Sequence, residues 1–219
     1  MKRLNAALLT IAVSVLIPAA HASFLPGTVP TAAGGPSVNP GNATGSAAGT
    51  FLASNVAPFT FTTTAGTTSG TLTSAVFRNP SGTLDFYYQF SDSAASQSDL
   101  SRESNTSFTG FATQTGYRID GGSLPGSVFQ NGGVVPVSAD RDASGNVVGF
   151  SFTPPSSGKV NPGMFSTVLV ISTDATNFTL GNSSLLDGGG VTVPAFQPAP
   201  GTPMGTIQVC KVAGSNVSI

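Results

Sequence analysis

Few side chains in this sequence can do chemistry, and most of them are acids. Asp85, Asp99, Glu103 and Asp120 fall in the middle of the chain. Two carboxylates suffice to hydrolyse a glycosidic bond, one as general acid and the other as base or nucleophile. Their spacing fixes no shared cleft, and Asp85 reads instead as an outward residue of a strand, where Arg78 or Arg118 could meet it as a cross-strand partner. A second acidic run, DRDASGN from Asp140 to Asn146, sets oxygens at alternate positions ahead of a glycine, as the start of a calcium loop does. The closing bidentate carboxylate of such a loop falls at Ser151, inside the alternating run VVGFSF. Asp140 and Asp142 therefore fit a tight hairpin turn better than a Ca2+ site, and no other cofactor is expected.

Tyr87 and Tyr117 are the candidates for binding extracellular polysaccharide, because aromatic rings exposed on a sheet can stack on sugar rings. The competing expectation, that a second sheet or a loop covers Tyr87, is the favoured one, and the complete absence of tryptophan weakens the carbohydrate-binding reading further. Cys210 is the single cysteine, so the chain forms no disulfide within itself.

The single histidine, His21, falls in a segment expected to be removed. Lys2 and Arg3 precede an apolar stretch from Ala6 to Ile17, followed by Pro18 and Ala20-His21-Ala22. A charged start, a short apolar run and small residues before the cut make a secretory signal peptide over residues 1–22, with cleavage between Ala22 and Ser23. The run is shorter than the roughly 20 residues that cross a bilayer, so no transmembrane segment is expected after cleavage. The remainder carries six basic and nine acidic residues and no histidine. That excludes Ser-His-Asp and Cys-His catalysis and His-ligated metals. Its weak negative charge gives no reason to expect nucleic acid as a partner.

The elements that would position these residues read as strands. Charged residues make up 8% of the chain while small and hydroxylated residues dominate, and no window sustains a 3.6-residue apolar period. The clearest strand is Thr83 to Phe90, with Leu84, Phe86, Tyr88 and Phe90 on one face. Others are expected at 57–63, 70–77, 107–113, 134–139, 147–153, 165–172 and 190–196, separated by turn clusters such as Asn79-Pro80-Ser81-Gly82. The layout predicts an all-β, antiparallel β-sandwich of jelly-roll or Ig-like type over residues 50–196. A disordered low-complexity leader is expected at 23–49, a proline-rich linker at 197–204 and an incomplete β segment at 205–219.

The run NPSGTLDFYYQFSDSAASQSDLSRESNTSFTGFATQTGYRIDG, Asn79 to Gly121, resembles a stretch of exported bacterial proteins of the PEP-CTERM type. The likeness extends in layout over roughly Thr50 to Pro200. It implies sorting to the cell surface and says nothing of a ligand. In place of a Val-Pro-Glu-Pro motif, an apolar span and a basic tail, this chain has PAPGTPMGTIQVCKVAG. Its segment TIQVCKVAGSNVSI is similar to the first strand of small β-sandwich repeats in bacterial surface proteins.

The expectation is thus a secreted or cell-surface protein, with the periplasm as a further location. It has a structural or adhesive role without catalysis, and its partners are extracellular polysaccharide or other surface proteins. A carbohydrate-binding module is the alternative, and a carboxylate-dependent glycoside hydrolase a more distant one.

Overall fold

The computed structural model describes residues 23–153 and 158–200, so residues 1–22, including Ala22, and residues 201–219, including Cys210, lie outside the described residues. Within it the chain is an antiparallel β-sandwich. The strands, in chain order, are β1 (Val29–Pro30), β2 (Gly41–Asn42), β3 (Thr50–Thr63), β4 (Gly66–Arg78), β5 (Leu84–Asp92), β6 (Arg102–Asn105), β7 (Thr113–Arg118), β8 (Ser138–Arg141), β9 (Val148–Ser151), β10 (Val168–Thr173), β11 (Phe178–Leu186) and β12 (Gly190–Pro198). One sheet has seven strands, in the order β1-β7-β10-β5-β4-β3 with β2 added to β7 in parallel; the other has five, in the order β12-β11-β6-β9-β8.

β5 lies centrally, between β10 and β4, because its sequence can bury both faces. Leu84, Phe86, Tyr88 and Phe90 point into the core between the sheets, where they meet Phe150, Phe152, Leu185 and Val193. Phe90 packs edge-on to Phe152 at 5.3 Å between ring centres, a favoured aromatic arrangement. The opposite face carries Tyr87, which stacks on Phe77 at 4.5 Å within a second apolar layer of Ala75, Val168 and Val170.

That second layer is closed by residues expected to form a loose leader, and this corrects the reading of 23–49. Leu25 and Ala43 are buried in it. The Leu25 N–H donates to Ser172 Oγ at 2.9 Å, and β1 and β2 pair with β7. Glycines permit so close an approach: a Cβ on Gly41 would fall 2.0 Å from the Gly27 carbonyl, and Gly27 has φ +88°. Few large side chains are needed, because the covering segment is held by backbone pairing.

Three further expectations change. Residues 107–112 form a turn and not a strand, with Thr113 opening β7, since Ser107 and Gly110 take φ of +71° and +85°, which break a ladder. Residues 178–186 form β11, whose mixed sequence FTLGNSSLL carries no clean alternation. Gln197 and Pro198, assigned to a linker, belong to β12, an edge strand where proline is tolerated.

Candidate functional site

The four central acids do not share a cleft. Asp85 belongs to the seven-stranded sheet and Glu103 to the five-stranded one, and the two are separated by the larger sheet. Asp85 shares the outer face with Tyr87, whereas Glu103 on β6 pairs with Phe150 and Leu185 and faces the inter-sheet core. Asp85 is not outward, and neither Arg78 nor Arg118 meets it: it is fully buried and accepts a hydrogen bond from Ser172. Burial pushes its carboxyl up to about 7, against the pull of Ser172 and Arg118. Asp120 is held by Arg118, whose Nε and Nη2 both donate to it at 2.9 Å, and this fork keeps its carboxyl below the usual carboxylate range. Asp99 is half-buried in the loop before β6.

The calcium reading of Asp140 and Asp142 is replaced by two structural roles. Arg102 donates to both carboxylate oxygens of Asp140, at 2.6 and 2.8 Å. Asp142 caps its own turn by accepting from the Val147 N–H at 2.8 Å and from the Ser144 hydroxyl. Among the described residues, no three acids, histidines or cysteines gather as a metal site would require.

The two tyrosines cannot form one platform. β10 pairs Val170 with Tyr87 and Leu169 with both Tyr88 and Tyr117, so Tyr87 and Tyr117 occupy opposite faces of the sheet. Tyr87 is fully buried, as the competing expectation had it, and Tyr117 is half-buried. Ser23 opens the described chain, its N–H donating to Ser81 Oγ.

A cleft of about 420 Å3 lies at one end of the sandwich, where sequence reading placed no site. Its walls are the turn after β6, the β8–β9 hairpin and the end of β12. Arg141 builds the junction. Its guanidinium, almost fully buried, donates to the carbonyls of Phe108, Phe111 and Gly145 and to Thr113 Oγ1, tying the turn to the hairpin. Asn146 then accepts from the Ser107 N–H at 3.1 Å and from Thr109 Oγ1 at 3.3 Å. These bonds hold Ser107 in the left-handed region, a conformation costing a non-glycine residue on the order of 1–3 kcal/mol.

On the facing wall Gln197 accepts from the Asn182 N–H and from Thr106 Oγ1, both at 3.2 Å. It lies across Gly181, where a Cβ would fall 1.8 Å from the Gln197 amide carbon. Phe111, Pro198 and Pro200 supply apolar surface, and no charged side chain lines the cleft. The only sequence signals for it were a Gly-Asn turn and a glutamine beside a proline, which occur in any β protein.

No protein-family model, curated protein or solved structure matches the chain. Its functional reading rests on its own residues.

Proposed function

We propose that the chain is an exported, non-catalytic protein with a structural or adhesive role at the cell surface or outside the cell, of the kind its resemblance to PEP-CTERM-type proteins implies. The observation that carries the reading is the use of charge. Of the described ionic pairs, Arg102–Asp140 and Lys159–Asp187 tie separate segments together and Arg118–Asp120 closes the end of β7 locally, while the cleft is lined by amides, hydroxyls and apolar rings. Such a surface suits contact with neutral matter and survives variation in salt, which screens exposed charges. The signal-peptide order of residues 1–22 supplies the route out of the cytoplasm.

Fractionation of the native host with an antibody to residues 23–200, followed by mass spectrometry of the intact species, tests this. A species outside the cytoplasm whose sequence begins at Ser23 is expected. A cytoplasmic species that keeps Met1 would overturn the proposal.

A further inference from the structure

We infer that the cleft bounded by Asn146, Phe111 and Gln197 binds a segment of a neutral polysaccharide. The inference deepens the extracellular reading, on which it rests for the presence of such a ligand, and its argument is the orientation of two amides.

A backbone N–H can only donate. The Ser107 N–H therefore requires the oxygen of Asn146 to face it, and the Asn182 N–H does the same for Gln197. Both oxygens also accept from a threonine hydroxyl, which leaves each NH2 group as the unengaged end. Among the described residues neither NH2 donates a hydrogen bond, so the two walls present fixed donors whose acceptor ends are committed.

This asymmetry selects a ligand. An anion would call for lysine or arginine, and none lines the cleft. A peptide brings rigidly directed N–H donors into a site whose amide oxygens are already taken, whereas a hydroxyl can rotate toward whichever acceptor is open. A sugar hydroxyl or ring oxygen accepts from the amides, keeps its own O–H toward water or the hydroxyls of Ser107 and Thr109, and lays its C–H face on the ring of Phe111. The volume, about 420 Å3, falls in the range of small-ligand sites. Gly181 is a positioning residue, since only a glycine leaves room for Gln197 to lie in place.

Titration calorimetry of the full-length chain with cellohexaose, maltohexaose and mannohexaose tests the inference, with alginate and an alternating Ala-Pro decapeptide as charged and peptide counterparts. Saturable binding of at least one neutral hexasaccharide is expected. Asn146→Asp and Gln197→Glu keep the accepting oxygen and lose the donors, so each weakens binding roughly tenfold. Gly181→Ala weakens it through displacement of Gln197, and Tyr117→Ala leaves it unchanged. Asn146 and Gln197 stand on separate walls, so one variant still reads the site if the other unfolds, with the melting temperature as the check.

Absence of binding to all three sugars overturns the inference, as does preference for alginate or the peptide, or affinity indifferent to both amide variants. A chain exported but unable to bind sugar would sink this inference and leave the proposed function standing. A sugar-binding chain retained in the cytoplasm would do the reverse.

Discussion

The hydroxyl of Ser183 on β11 donates to Oε1 of Glu103 on β6 at 2.8 Å, inside the core between the two sheets. Glu103 is fully buried, and its Oε2 finds no hydrogen-bond partner among the described residues. Asn105, two residues on and on the same face, likewise has neither amide atom engaged. Burial pushes the Glu103 carboxyl up to about 7, against the pull of Ser183. A sandwich core with an acid in its middle has a stability tied to pH.

The sign follows from the direction of the shift. An acid whose pKa is higher folded than unfolded holds its proton longer in the folded chain. Between about pH 4 and 7 the folded state then binds more protons, and stability falls as pH rises through that window. Glu103 and Asp85, both raised to about 7 by burial, act together, and Asp92, raised to about 6, adds to them. Thermal unfolding followed by circular dichroism should give a melting temperature at pH 5 higher by roughly 5 °C or more than at pH 8. Glu103→Gln should flatten the profile and raise stability at pH 8. A melting temperature that climbs from pH 5 to pH 8 would refute the account.

Ser172 joins the leader to the sheet. Its hydroxyl accepts from the Leu25 N–H and donates to Asp85, so Ser172→Ala leaves a buried N–H and a buried acid without their shared partner. The expected loss is about 2 kcal/mol in denaturant unfolding, with faster proteolytic cutting inside residues 23–49. Unchanged cutting there would show that β1 and β2 suffice to hold the segment.

Tyr87 is a core residue, stacked on Phe77 and near Phe129. Tyr87→Ala should destabilise the chain by about 3–5 kcal/mol, as large-to-small aromatic substitutions in cores do. Tyr87→Phe should be mild, because the hydroxyl meets Arg118 only at 3.5 Å. Equal effects from the two variants would mean that the hydroxyl, and not the ring, matters.

Arg141 ties three carbonyls and a hydroxyl at the end of the sandwich. Arg141→Ala strands buried acceptors and should cost about 3 kcal/mol in chemical unfolding. Arg141→Lys should recover little, since an ammonium cannot reproduce the planar fork of donors. Full recovery by lysine would show that charge alone holds the turn.

The readable parts of the fold were those with local causes. The alternation of Leu84 to Phe90 located the central strand and its inward face, and the DRDASGN run located the β8–β9 hairpin, whose Asp142 and Gly145 make a tight turn by themselves. β11 escaped notice because FTLGNSSLL owes its strand state to β6 and β12 on either side, not to its own pattern. Whether Tyr87 or Tyr117 lies open on a sheet was not legible, because sequence does not show which strand or loop covers which face.

From sequence alone came an all-β chain and the turns that punctuate it, because each depends on residue type or on neighbours along the chain. Tertiary structure decided that residues 23–49 cover the outer face of the larger sheet, that Asp85 and Glu103 are buried apart, and that Asn146 and Gln197 face one cleft. Those outcomes depend on pairing between residues tens of positions apart, which residue periodicity does not encode.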